Sequence, residues 1–186
     1  PDDPFSRAGR PMSRPGCDWL MGTVSLGRDI LAGIVHGART SLLIGLVATI
    51  VAVIFGTFMG ALAGYYGGWM DEILMRLTEV FQTIPSFVFA ILLVAIMSPS
   101  IQSIIIAIAV VTWPPLARLV RGEVLGLRNR EFVQANILMG MPDWKIIVVQ
   151  ILPNCLSPII VAGSLLVATA ILIESALSFL GLGDPN

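Results

Sequence analysis

Residues Arg118–Gln150 read RLVRGEVLGLRNREFVQANILMGMPDWKIIVVQ, and Leu152-Pro153-Asn154 follow directly. This charged, helix-compatible island sits between two long apolar runs. Within it, Asn129–Met139 is predicted to form a helix that Gly140 breaks. Met141-Pro142-Asp143 then supplies a turn, with Asp143 placed to cap a second helix starting near Trp144. Helix, glycine break and helix is the shape of a short rigid bar held off a membrane by two helical stems. It is equally the shape of an ordinary connecting loop, although loops of this length are more often functional. The residues of the island alone leave both open.

Outward from the island, composition sets the solvent. Of 186 residues, 56% are hydrophobic and 12% charged, about half the charged fraction of a soluble domain, and mean hydropathy is +0.89. The fold class is therefore an all-α, polytopic membrane helical bundle; a barrel would show short alternating segments instead. A net charge of −1 gives no basic excess for a nucleic-acid partner. Cys17 lies in polar sequence and Cys155 in an apolar run, so the two belong at different depths and no disulfide is expected. The chain opens at Pro1 and closes at Asp184-Pro185-Asn186 without an initiator Met or a signal peptide, and reads as a fragment.

Four spans are expected. Ser41–Gly64 is 24 residues without a charge, about 36 Å of helix against a hydrocarbon core of about 30 Å. Val80–Met97 is the second, Ile101–Ala117 the third and Ile146–Ile173 the fourth. Ser98-Pro99-Ser100 is all that separates the second and third, which predicts a tight antiparallel hairpin. Four spans put both ends on one side, yet five Arg in residues 1–40 face six Lys/Arg on the other side, too even for a positive-inside assignment. Residues 1–40 are polar and contain no span, but 26–39 has helical apolar spacing and is predicted to be a short amphipathic helix along the interface. The organisation expected is thus a polar segment 1–40, a membrane core 41–173 containing the island, and a loop 174–186.

Several positions carry candidate roles. Ala48, Ala52, Gly56, Gly60 and Gly64 recur every four residues on one stripe of the first span, where small residues let another helix approach closely; a contact within this chain is favoured over a subunit interface. Pro85, Pro114, Pro115, Pro153 and Pro158 each remove a helix hydrogen bond, and freed carbonyls are tolerated where they line a wet cavity or are buried. Pro85, Ser86, Thr112, Pro114, Asn154 and Ser157 are accordingly candidates for a translocation path, with ordinary kinks as the alternative. Glu174 is the one acid at the edge of the last apolar run. It is read as an outer-interface side chain bonded to backbone or Ser175 rather than a membrane-depth site. His36 stands alone, so no metal site is expected.

The island also resembles the cytoplasmic "EAA" loop of binding-protein-dependent ABC importer permeases: E-A-A, three residues, Gly, nine residues, then I-x-L-P. Gln134-Ala135-Asn136 stand at E-A-A, Gly140 is in place, Gln150 takes the Ile position, and Leu152-Pro153 fall at the expected distance. Other segments are similar to the oligopeptide/dipeptide/nickel permease family. They are Leu26-Gly27-Arg28-Asp29, Gly37-Ala38-Arg39 with Ser41-Leu42, Ala63–Trp69 with Asp71-Glu72, Trp113-Pro114, Ala117–Gly122 and Arg130-Glu131-Phe132-Val133. Glu174–Gly183 resembles the C-type subunit of that family. Thr23-Val24-Ser25 departs from its usual Gly-Thr-Asp.

This resemblance implies the type I importer permease fold, with six spans in the intact subunit and the first and last outside this chain. It implies that the island is cytoplasmic, that 1–40 and 174–186 face outward, and that the protein sits in a bacterial or archaeal inner membrane. It makes Glu131, Gln134, Ala135, Asn136, Gly140 and Asp143 the contact with a separate ATPase, which alone would hold ATP and Mg; this chain lacks a G-x-x-x-x-G-K-[ST] loop and would bind no cofactor. The implied partners are a B-type permease subunit, one or two ATPase subunits and a periplasmic or lipoprotein solute-binding protein. The implied solutes are peptides, with nickel chelates or glutathione-like molecules as alternatives. A solitary channel or secondary transporter would show intramembrane charges or a filter. An intramembrane enzyme would need a nucleophile–base pair or metal ligands within the spans, and no His or Asp lies there. A purely structural protein would leave the island without a role.

Overall fold

The computed structural model describes residues 9, 11–16 and 20–183, so Cys17 and residues 184–186 lie outside the described residues. Packing divides the chain into two compact units, residues 1–43 and 44–186. In the first, an antiparallel bridge joins Thr23 and Asp29, and the Thr23 hydroxyl accepts from the Ser13 amide at 2.9 Å. The Asp29 carboxylate accepts from the Leu31 amide at 3.0 Å, an N-cap that starts the first helix.

That helix, α1, runs Ile30–Tyr66 without a break. The expected amphipathic helix over 26–39 therefore does not exist as a separate element. No proline or glycine pair interrupts the chain between Ile30 and Ser41, so helical hydrogen bonding carries on into the first span. Gly67 and Gly68 end it with φ of 66° and 52°, a backbone that side-chain-bearing residues avoid.

The second span is also different from its expected form. Helix α2 is Gly68–Thr83 and α3 is Ser86–Met97, and they meet at a bend of 84°. Pro85 is the cause: the helical region is disfavoured for the residue before a proline, and Ile84 is extended at φ −89°, ψ 132°. With 12 residues, α3 reaches only about 18 Å, so α2 and α3 together make one broken span or a re-entrant pair. Among the described residues, three helices are individually long and apolar enough to cross a membrane, or four spans counting the bent pair. Ser98, Pro99 and Ser100 then reverse the chain, and the Ser100 hydroxyl accepts from the Ser103 amide at 3.1 Å to cap the next helix.

Helix α4 is Ile101–Arg128 and passes straight through Pro114 and Pro115. The third span was expected to end near Ala117; it extends eleven residues further, taking the first third of the island with it. Neighbouring packing holds the proline-weakened turn. Trp113 meets Phe55 edge-on at 4.9 Å and Phe81 at 5.4 Å. Helix α5 is Glu131–Leu138, and a short turn α6, Asp143–Lys145, opens a helical run that continues to Leu180 and is broken at Gly181, whose φ is +78°. That run includes a π-helical stretch at Ile146–Ile151 followed by α7, Leu152–Leu177. It is longer at both ends than the span expected over 146–173. Wide π turns accommodate the amide missing at Pro153, and the Asn154 side chain donates to the Gln150 carbonyl at 2.6 Å.

The small-residue stripe of α1 packs within this chain, against α4. A side-chain carbon added at Gly60 would stand 2.4 Å from the Ala117 carbonyl oxygen, and one at Gly64 2.8 Å from Val124 Cβ. Gly56 faces the Trp113 carbonyl at 2.9 Å in the same way, and Ala48 and Ala52 are fully buried. Backbone-to-backbone approach of this kind maximises dispersion contact where lipid supplies no hydrophobic drive. Around the α1–α4 seam, Ala61, Leu116, Val120, Val133, Ile151 and Cys155 form one core. Ile44, Ala90, Val94, Ile104, Ile108 and Leu177 form another nearer the α3–α4 reversal.

Candidate functional site

Helix α4 emerges from the second-unit core as a charged stem, turns at Asn129-Arg130, and hands the chain to α5. Val133, fully buried, pins α5 to the core formed by Val124, Ile146 and Ile151. At the other end of α5, the Gly140 amide donates to the Ile137 carbonyl at 3.0 Å and the Met141 amide to the Asn136 carbonyl at 3.1 Å. With Gly140 at φ +75°, this is a Schellman stop. A side chain at Gly140 would meet nothing within 4 Å, so conformation and not crowding accounts for the glycine. The result is a short bar fixed at one end by burial and at the other by a hydrogen-bonded turn.

Glu131, Gln134, Ala135, Gly140 and Asp143 are all exposed on this bar and its turn, and Asn136 is partly so. Glu131 occupies the first turn of α5, where a carboxylate favours the helix dipole. The Gln134 side chain donates to the Arg128 carbonyl at 3.1 Å, closing an orphan acceptor at the end of α4. The Asn136 side chain donates to the Phe132 carbonyl at 2.7 Å. Asp143 departs from its expected role as a cap. Pro142 holds the cap position, and Asp143 is the first helical residue with its Oδ1 accepting from the Tyr65 hydroxyl at 2.9 Å.

Sequence reasoning missed the apolar tip. Leu138 is 87% exposed and Met139 74%, with Ile137, Phe132 and Trp144 also exposed nearby. Apolar side chains left uncovered on a polar segment mark contact surfaces. The signal was present as Ile137-Leu138-Met139 immediately before a helix-stopping glycine, yet helical spacing alone reads such a run as core. Also missed was the pairing of Asp71 with Arg121, whose Nη2 donates to Asp71 Oδ2 at 2.6 Å. It ties the first turn of α2 to α4.

The six path candidates divide by burial. Pro85, Ser86, Asn154 and Ser157 are exposed, whereas Thr112 and Pro114 are buried in the second unit. The Thr112 hydroxyl donates to its own helix at the Ile108 carbonyl, 2.7 Å away. Asn154 instead borders a cleft with Asn129, Arg130, Glu131 and Phe132 beside α5. Glu174 also differs from its expected place: it is only 7% exposed, and its Oε2 is buried without a hydrogen-bond partner. It shares a face of α7 with Ala170 and Leu177, which pack into the α3–α4 core, so helix geometry carries the acid inward. His36 is exposed, its Nδ1 at 3.0 Å from the Ala32 carbonyl. Among the described residues no three His, Cys, Asp or Glu side chains converge as metal ligands.

The family described as the binding-protein-dependent transport system inner membrane component matches residues 53–185, which include α5, its Gly140 stop and the bent pair. The chain belongs to that family. The dipeptide transport system permease protein DppC of Alkalihalophilus pseudofirmus is 48% identical over 169 residues, 91% of this chain and 56% of that protein. The oligopeptide transport system permease protein OppC of Haemophilus influenzae is 46% identical, covering 88% of this chain and 53% of its own. The glutathione transport system permease protein GsiD of Pectobacterium atrosepticum is 42% identical over 89% of this chain and 54% of its own. This permease-family chain thus spans about half the length of the relatives it matches. The resemblance to C-type peptide permeases holds through most of its length, and the type I importer permease fold comes with the family.

Proposed function

We propose that the intact protein is the C-type permease subunit of an ATP-driven importer of peptides or peptide-like solutes in the cytoplasmic membrane, with six spans in all. The observation that carries this is α5: a bar anchored by Val133, stopped by Gly140, and tipped with the uncovered side chains of Leu138 and Met139. An apolar tip on a rigid polar loop suits the cleft of a soluble partner. In this family that partner is an ATP-hydrolysing subunit, which would hold the nucleotide and Mg. ATP binding draws two such subunits together, the docked bars follow, and this subunit rocks against a B-type permease between inward- and outward-facing arrangements. A soluble binding protein delivers the solute from outside. No residue of this chain performs covalent chemistry in that cycle.

The solute class follows the names of the similar proteins, which include dipeptide, oligopeptide and glutathione permeases. The test is co-purification of the full-length protein from its native membrane in mild detergent, wild type beside Leu138→Glu. Mass spectrometry should find an ATPase and a second permease with wild type, and the second permease alone with Leu138→Glu. A wild-type preparation without any ATPase contradicts the reading and brings the solitary transporter forward.

A further inference from the structure

Two polar contacts converge on the corner between α1 and α2. On one side, the Tyr65 hydroxyl donates to Asp143 Oδ1 at 2.9 Å, joining positions 78 residues apart. On the other, the Asp71 carboxylate receives the Arg121 fork through Nε and Nη2. Between them, a side-chain carbon at Gly67 would stand 2.9 Å from Arg128 Nη1, so that guanidinium lies over the bare turn. The corner is thus fastened to α4 at Arg121, with Arg128 lying beside it, and to the start of the last long helix at Asp143. These are the two stems that carry α5.

Beyond the corner, α2 leads into the 84° bend and α3. The Tyr65 ring is 6% exposed and packs in the same core as Val133, so its packing does not require the hydroxyl. Asp143 is exposed and caps nothing. The bond they make is therefore surplus to local folding, and it is directional because its acceptor is a carboxylate. A bidentate Arg–carboxylate fork likewise fixes orientation as well as distance. Coupling between distant sites needs a contiguous physical connection and an element with two discrete arrangements. The corner supplies the connection, and it leads directly into the 84° bend.

We propose that the Tyr65–Asp71 corner is the strut through which movement of the α5 bar reaches the bent α2–α3 pair, with the Tyr65–Asp143 bond as its positioning contact. The strut rests on the reading of this chain as an ATP-driven permease subunit. Tyr65 and Asp143 act through the helices they join and touch no solute or nucleotide.

The test uses the complete transporter, with Ser86→Cys as a reporter on α3 in a Cys17→Ala/Cys155→Ala background. Thiol labelling rates are compared without nucleotide and after trapping with ATP and vanadate, so no solute need be identified. The rate at Ser86→Cys should change about fivefold between states. Adding Tyr65→Phe should leave ATPase recovery and ATP hydrolysis at the parental level while reducing that change to under about twofold. Asp143→Asn keeps an oxygen acceptor and should retain the full labelling change, whereas Asp143→Ala should lose that change. A full labelling change with Tyr65→Phe overturns the strut. So does loss of the ATPase from that variant, which would reduce the bond to holding the island together. A parental complex that hydrolyses ATP with no response at Ser86→Cys overturns it as well. A parental complex with no ATPase fails one step earlier, at the permease reading itself.

Discussion

Gln134 and Gly140 show how single side chains shape the bar. Gln134 takes the first position of the loop pattern, where Glu is usual, and donates to the Arg128 carbonyl. A carboxylate there has no hydrogen to give and faces another oxygen. Gln134→Glu should lower stability by about 1 kcal/mol, seen as a lower midpoint in thermal unfolding of the detergent-solubilised protein. Gly140→Ala should cost about 1–2 kcal/mol through its positive φ, and Gly140→Asn, which tolerates that region, should recover most of the loss in the same assay. The glycine was legible because a helix stop has a sequence signature. The bond between Tyr65 and Asp143 was not, because its partners are 78 residues apart and no local spacing connects them. Asp143 read as a cap for the same reason: local pattern sees the next amide, while the folded chain offers a closer phenol.

At the scale of elements, α1 and α4 hold the second unit together by close approach. Gly60→Leu would drive a side chain into the Ala117 carbonyl, 2.4 Å from where its first carbon must stand. Overpacking of this kind costs about 1–3 kcal/mol or more, so the variant should lose monodispersity in detergent at a lower temperature than wild type. Gly122, on α4 with nothing within 4 Å, is the control; Gly122→Ala should stabilise by up to about 1 kcal/mol through helix propensity. The spans themselves were legible as apolar runs, and the stripe showed that α1 packs closely against something. Their ends were less so. The stretch from Val80 to Met97 reads as one span and hides the bend that Pro85 makes, whereas Pro114-Pro115, candidates for a kink, leave α4 uninterrupted. The difference lies in packing: α1 grips α4 around its prolines, while Ile84 and Pro85 are exposed. Pro85→Ala should restore the missing amide and open the bend. Spin-label distances between α2 and α3 should lengthen, and an unchanged distance would mean that tertiary contacts, not the proline, set the angle.

For the whole molecule, the family and the class of fold were readable from composition and from segments that resemble peptide permeases along most of the chain. What was not readable is which side chains the island leaves uncovered. The pattern pointed to Gln134, Ala135 and Gly140, while the folded bar adds Leu138 and Met139 at its tip. The central claim is that this tip docks in an ATP-hydrolysing subunit, and its most direct test is site-specific photo-crosslinking in the native membrane. A photoreactive residue at Leu138 should capture the ATPase, while the same residue at Leu165, exposed on the apolar length of α7, should capture none. Equal capture at both positions, or none at Leu138 with the ATPase present in the membrane, would contradict the account.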